Sequence, residues 1–273
     1  MALKIKVFLK KTSKRISAFH QFTSVLFALF LRELKTRFGA KRFGAFWVIG
    51  EPLLHVMFLL FIFTFIRSRM MPQVPFELFL ITGLIPFFIF KNIVMGLMSS
   101  IDANKALFSY RPVKPIDTYI TRVILEVLIY TSVFSVILFI FGFFGGFDIS
   151  IARPLEVFGV FILLVMMGFA FGIIASLLAH VFPITKTIVS LMMTILYFLS
   201  GIMYPLWIVP SPYLKVLEYN PVLHLVELFR ENFFSHYPHV NGISIVYPSI
   251  IIVVTLFIAL YFYRYRRLAL AAR

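Results

Sequence analysis

Long apolar runs separated by short polar segments set the pattern of this chain. Six runs reach the ~20 residues that a helix needs to cross a bilayer. They lie near 46–66, 77–98, 118–144, 155–179, 187–207 and 244–263. The first 45 residues are too polar to cross. Their basic start (Lys4, Lys6, Lys10, Lys11, Lys14, Arg15) leads to no small-residue cleavage site, so it does not read as a signal peptide. No Pro/Ser-rich linker divides the remainder. The pattern predicts an all-α membrane protein with a basic tail and interfacial helix over 1–45 and one six-helix transmembrane domain over 46–273.

Two stretches outside the simple runs carry their own periodicity. Phe19, Phe22, Leu26, Leu29 and Phe30 recur at helical spacing, with His20, Gln21, Ser24, Arg32 and Lys35 between them. Residues 19–38 therefore predict an amphipathic helix in the cytoplasmic interface, followed by Lys41 and Arg42. It is either an anchor beside anionic lipid or a collar around a substrate entrance. Residues 204–243 are apolar at Leu206, Trp207, Ile208 and Val209 but are broken by Pro205, Pro210 and Pro212. At Asn220-Pro221 a helix can restart, with Asn as N-cap and Pro at the first helical position. Val222, Leu225, Val226, Phe229 and Phe233 then form an apolar stripe, with Glu227, Arg230 and Glu231 on other faces. Irregular backbone at membrane depth survives only inside protein or beside a watery cavity. Residues 204–236 are thus expected as a re-entrant or short extracytoplasmic helical element between spans five and six.

Composition supports a bilayer as solvent: 61% of residues are hydrophobic, 14% are charged, and mean hydropathy is +0.98. Soluble domains are nearer half apolar and a quarter charged. The 26 Lys and Arg against 11 Asp and Glu give +15, and their placement fixes an orientation. Segments 1–47, 99–122, 180–186 and 264–273 hold 20 of the 26. The positive-inside rule then puts both termini in the cytoplasm. The charge is a membrane collar and implies no nucleic-acid partner. The absence of cysteine excludes disulfides and thiolate chemistry.

Candidate chemistry is sparse. No G-x-x-x-x-G-K-[ST] occurs, so any ATP-driven work needs a partner. Ionisable residues within runs are Glu51 and His55, Lys91, and Arg122 with Glu126; the last two, four apart, read as a self-neutralising pair. These are too few for a proton relay, which weakens an ion-coupled carrier. No nucleophile motif supports a membrane-embedded transferase acting on lipid-linked sugars. His224, His236 and His239 lack a carboxylate or cysteine at metal-site spacing, so no metal is expected. Gly168-x-x-x-Gly172 with Ser176 is a small-residue face for close helix packing, within or between subunits. In the loop 99–117, Ser100 or Asp102 can cap a short helix through Tyr110, stopped by Pro112 and Pro115. That helix is either a docking element for a cytosolic motor or an ordinary helical loop.

Several stretches together resemble one family. Residues 32–52 (Arg-Glu-Leu-Lys-Thr-Arg-Phe through Gly44-Ala-Phe-Trp-Val-Ile-Gly-Glu-Pro52), Thr82-Gly-Leu-Ile-Pro86 with Phe90-Lys-Asn92, and Val113-Lys-Pro-Ile-Asp117 with Arg122 and Glu126 appear in order. Ser200-Gly-Ile-Met-Tyr-Pro205 and Asn220-Pro221 with Glu227-x-x-Arg230 follow. The set resembles the permeases of type-2 ABC exporters, in particular the capsular-polysaccharide branch, and is similar to O-antigen and teichoic-acid permeases.

The resemblance implies a homodimer in the bacterial inner membrane above two copies of a separate P-loop ATPase, which binds ATP and Mg; this chain itself is expected to bind no cofactor. It implies a lipid-linked polysaccharide substrate, with a periplasmic co-polymerase and an outer-membrane export channel as further partners. Ser100, Asp102, Asn104, Lys105, Leu107 and Tyr110 would form the coupling helix seated in the ATPase. Pro205, Asn220, Pro221, Glu227 and Arg230 would belong to the exit gate.

The 35 Phe, 12 Tyr and 2 Trp give this reading a chemical use. A processive glycan conduit must hold each repeat weakly, as pores hold ions, and flat aromatic faces do so without fixed hydrogen bonds. Phe46, Trp47, Tyr197, Tyr204 and Trp207 are the candidates, against the alternative of an interfacial aromatic belt. Arg37, Lys41 and Arg42 lie where an anionic lipid phosphate would first arrive, against the alternative of the ordinary positive-inside cluster.

Overall fold

The computed structural model describes residues 2–39, 50, 53–62, 74–109 and 113–272, and among these no strand occurs. The helices are α1 (Ala2–Gly39), α2 (Leu53–Ile62), α3 (Phe76–Met98), α4 (Ser100–Asn104, continued by a 3-10 turn Lys105–Ser109) and α5 (Pro115–Phe143). Then come α6 (Pro154–Val181), α7 (Thr185–Leu199), a 3-10 turn Leu206–Ile208, α8 (Ser211–Leu217), α9 (Pro221–Phe233) and α10 (Val246–Ala272). Four of them, α3, α5, α6 and α10 through Arg267, are long and apolar enough to cross a membrane.

One of the six expected runs is described only in part, and another departs from the sequence reading. The first is described only as α2, ten residues long; Glu51, Phe46 and Trp47 lie outside the described residues. The fifth, expected over 187–207, ends as helix at Leu199 after 15 residues. At 1.5 Å per residue α7 is about 22 Å long, short of a ~30 Å hydrocarbon core. Gly201 sits at φ 65°, a left-handed conformation that ends the helix with little steric cost in the absence of a Cβ, and Pro205 lies just beyond.

The core is organised around α3, which is buried along most of its length, Leu78, Phe79, Leu84, Phe87, Ile93 and Leu97 being fully enclosed. It packs chiefly against α6, and also meets α5, α7 and α9. The small-residue face of α6 makes this possible. A Cβ on Gly168 would stand 3.1 Å from Ile93 Cβ, and one on Gly172 would stand 3.0 Å from Leu97 Cβ and 3.3 Å from Val94 Cα. One turn on, Ser176 Oγ and Tyr119 OH share a hydrogen bond of 2.8 Å. The face therefore serves contact within the subunit.

α1 is longer than the expected amphipathic segment, running unbroken from Ala2. Its apolar stripe is divided. Leu29 is buried and Phe30 and Leu34 join the core, where α1 lies against α5, but Phe19, Phe22 and Phe27 stay exposed. Among the described side chains of α1, those near its end turn their apolar side to protein.

Because Gly172 faces α3 backbone, Gly172→Val should overpack the contact and cost about 1–3 kcal/mol. Thermal unfolding in detergent should show a clearly lower midpoint for this variant than for Gly159→Val, since a Cβ at Gly159 meets nothing within 4 Å. Equal midpoints would contradict the packing.

Candidate functional site

Two polar junctions stand at opposite ends of the helical core. The one called inner, after the orientation expected from the Lys and Arg distribution, surrounds α4. Ser99, rather than Ser100 or Asp102, occupies the N-cap position and makes no capping bond. The other two side chains are engaged elsewhere: Ser100 Oγ donates to Thr118 Oγ1 of α5 at 3.0 Å, and Asp102 forms an ion pair with Lys186 at the start of α7. The expected cap is thus replaced by ties to neighbouring helices. Pro115 begins α5, where its missing N–H is not needed.

α1 supplies the other ties. Arg32 Nη1 donates to Asn104 Oδ1 at 2.7 Å, while Asn104 Nδ2 donates to Glu33 Oε1 at 3.3 Å and to Ser100 O at 2.9 Å. Glu33 also meets Arg122 Nε at 3.3 Å, and Arg37 pairs with Glu126. Arg122 Nη1 in addition donates to Ser99 Oγ at 2.9 Å. This corrects the expected Arg122–Glu126 pair. Each residue reaches across to α1, because the Glu33-x-x-x-Arg37 spacing presents the opposite sign in the same order. Two cross-helix pairs take the place of one pair along a single helix.

These contacts divide the proposed coupling residues. Asp102 and Lys105 are exposed, Leu107 is half-buried, and Ser100 and Asn104 are buried within the junction. Tyr110 lies outside the described residues, as do Lys41 and Arg42. Arg37 is described and is committed to Glu126.

The outer junction closes the break after α7. Arg230 of α9 is fully buried, and its Nη1 and Nη2 donate to Gly201 O and Ile202 O, both at 2.8 Å. Asn220 Nδ2 donates to Leu199 O at 3.3 Å and to Ser200 Oγ at 3.0 Å, while its Oδ1 accepts from Val222 N, the expected N-cap. Carbonyls freed where α7 stops thus gain donors from side chains of α9 and its cap. The guanidinium lies 3.7 Å over the Phe79 ring and 3.5 Å from Glu227 Oε2. Tyr237 OH donates to Glu227 Oε1 at 2.9 Å. Space for the guanidinium exists because residue 83 is glycine: a Cβ there would fall 2.1 Å from Arg230 Nη2. Glu227 and Arg230 were expected on faces other than the apolar stripe, but α9 is buried on both sets of faces. Pro205 is buried, and Pro221 starts α9 at its first turn.

The histidines have other partners. His224 Nδ1 accepts from Ser244 N at 3.0 Å, leaving Nε2–H to donate to Glu218 O at 2.7 Å. His239 meets Glu231 at 2.9 Å.

The described aromatic candidates do not form one track. Tyr197 stacks on Phe88 at 6.2 Å, whereas Trp207 packs edge-on against Phe79 and Tyr237. Nine residues of α3 separate the two sites, about 13 Å along its axis. Tyr204 is half-buried and donates to Phe198 O at 3.1 Å. Phe46 and Trp47 lie outside the described residues.

Several long apolar helices joined by polar junctions at both ends define a polytopic helical membrane protein. Comparison with known proteins narrows this to a transporter subunit. The chain belongs to the ABC-2 type transporter membrane family, matching it over residues 24–234. It is 42% identical over 243 residues to the polysialic acid transport protein KpsM of Escherichia coli, covering 89% of this chain and 93% of that one. The capsule polysaccharide export inner-membrane protein BexB of Haemophilus influenzae is 30% identical over 77% of this chain and 79% of its own. The O-antigen export system permease protein RfbA of Klebsiella pneumoniae is 27% identical over 79% of this chain and 82% of its own.

Removing a partner from a buried ion pair costs about 3–5 kcal/mol, so Arg230→Met should sharply lower the amount of folded protein. Gly83→Ala should do the same by displacing the guanidinium, and the Gly83→Ala/Arg230→Met double variant should be no worse than Arg230→Met alone. Additive losses in detergent melting would show that Gly83 serves another contact.

Proposed function

We propose that this chain is the permease subunit of an ATP-driven exporter that moves a lipid-linked capsular polysaccharide from cytoplasm to periplasm across the inner membrane. The observation that carries the reading is the near full-length relationship to a polysialic acid transport protein. BexB, a capsule polysaccharide export inner-membrane protein, supports it. The 27% relationship to an O-antigen permease makes O-antigen export the second reading. The sequence has no P-loop, so ATP and Mg belong to a separate cytosolic ATPase.

In this reading six segments cross the membrane, the fifth being completed by the chain beyond Leu199, both termini are cytoplasmic, and two copies of the permease stand over two ATPase subunits. A periplasmic co-polymerase and an outer-membrane channel continue the path. Segment 1–45 is the cytoplasmic tail and interfacial helix, and 46–273 is the transmembrane domain. The exposed side of α4, with Asp102, Lys105 and Leu107, docks the ATPase, while buried Ser100 and Asn104 fasten α4 to α1 and α5. The junction then hands movement of α4 to three helices at once: α1 through Asn104, α5 through Ser100, and α7 through Asp102. The α8–α9 element and the Arg230 cluster form the exit gate. Arg37 holds α1 at the entrance, with Lys41 and Arg42 receiving the lipid phosphate. Phe46, Trp47, Tyr197, Tyr204 and Trp207 offer ring faces to passing sugars.

Deleting the gene should leave polysaccharide inside the cell, and gentle purification of the permease should recover a P-loop ATPase. Normal surface glycan after deletion would overturn the function. Docking is tested at α4. Asp102→Ala should lower glycan-dependent ATP hydrolysis about threefold to tenfold, the scale of one lost interface contact. Lys186→Ala, which breaks only the internal ion pair, should lower it less. Equal effects would assign Asp102 to the internal pair alone.

A further inference from the structure

One intramembrane cation remains without a role. Lys91 lies on α3, seven residues before Met98, about 10 Å along the axis from that end of the helix. It is half-buried, and among the described residues no carboxylate pairs with its ammonium. A lysine near a membrane boundary lowers its own cost by extending toward the nearer headgroups. In the proposed orientation that boundary is the cytoplasmic one, at the Met98 end. The Lys91 Nζ instead stands 5.9 Å from the ring centre of Phe88, one turn nearer the start of α3. The charge therefore lies beside an aromatic ring.

The surroundings come from four helices. Phe88 stacks in parallel with Tyr197 of α7, the rings 6.2 Å apart and 8° from coplanar. His55 of α2 meets Phe88 edge-on at 5.3 Å, and Tyr130 of α5 lies 6.3 Å away. Asn92 Nδ2 donates to Phe88 O and Tyr130 OH, both at 2.8 Å, which fixes this side of α3. The Tyr197 hydroxyl is buried and has no hydrogen-bond partner. Two polar groups in this apolar wall, an ammonium and a phenol, are thus left with unused capacity beside an ordered ring stack. Each is costly at this depth unless something meets it.

We propose that Lys91 and Tyr197 form an intramembrane subsite for acidic sugars. Lys91 takes the carboxylate of a passing residue, and the Tyr197 ring, held in place by Phe88, forms the wall beside it along which the sugar ring edge passes. This deepens the export reading and rests on it. A single ammonium gives an attraction that every acidic repeat can use in turn, weak enough for the polymer to advance. The subsite selects anionic over neutral chains without reading the identity of the sugar beyond its carboxylate.

The test uses the permease with its ATPase in phosphatidylcholine nanodiscs. Oligosialic acid and oligogalacturonic acid serve as acidic probes and dextran as the neutral one. In the wild-type complex, either acidic probe should protect Lys91 from acetylation by an activated ester, read by mass spectrometry, and dextran should not. Lys91→Gln should weaken binding of the acidic probe about tenfold, as expected for loss of one charged hydrogen bond, while Lys91→Arg retains it. Failure of both acids to protect Lys91, equal protection by dextran, or protection conferred only by adding phosphatidylglycerol would overturn the proposal. The last outcome would assign Lys91 to lipid. The labelling arm needs no variant, so a Lys91→Gln protein that fails to fold leaves the result intact. Loss of the export reading is separately visible as normal surface glycan after deletion of the gene.

Discussion

A backbone carbonyl freed inside a bilayer must find a donor within the protein, because lipid offers none. That constraint shapes the outer half of this molecule. α7 stops short of the length needed to cross, and the carbonyls of Leu199, Gly201 and Ile202 are taken up by Asn220 and Arg230. Meeting the need with a buried guanidinium creates further needs. The charge is faced by Glu227, the carboxylate by Tyr237, and the space by the missing side chain at Gly83. The end of α9 is closed in turn by the chain entering α6, where Ala152 N and Arg153 N donate to Phe233 O and Asn232 O at 3.0 and 2.9 Å. One helix break thus dictates the placement of α3, α6 and α9.

The inner junction is built on different physics. Its charges are paired across helices that are remote in sequence: Glu33, Arg122 and Glu126 are largely withdrawn from solvent, whereas Arg37 and the Lys186–Asp102 pair stay open to it. Glu33 and Arg37 face Arg122 and Glu126 in matching order, so the two helices run side by side in the same sense through this stretch. The two pairs fix register: sliding α1 by one turn would bring like charges together. The Arg230–Glu227 pair of the outer junction is desolvated, whereas the inner junction keeps part of its charge in contact with solvent.

Much of the architecture was legible in the apolar runs. The limits of α3, α5 and α6 fall within three residues of those read from hydropathy, since a continuous apolar helix leaves few alternatives. Asn220-Pro221 was equally plain, because cap and first-turn chemistry are local. The break at Leu199 was not, because the apolar run continues to Val209 and what ends the helix is a glycine conformation secured by a residue 29 positions away. The Arg122 and Glu126 partners were also missed, although a signal existed. Glu-x-x-x-Arg in one helix and Arg-x-x-x-Glu in another are complementary, and pairing them needs only the assumption that the two helices meet. The capping role given to Ser100 and Asp102 failed because tertiary partners outbid a local cap. Buried Asn104, by contrast, is where the sequence placed a coupling contact and the fold places a fastener.

The short helix α7 has a mechanical meaning that its length alone does not disclose. Its first turn is held through Lys186 to α4, while Asn220 holds the carbonyl of its last residue, Leu199, and Arg230 that of Gly201 just beyond. A segment anchored at both ends by side chains, with no hinge between, behaves as a connecting rod. A displacement of one end is passed to the other along about 22 Å of helical backbone, with little lost to bending.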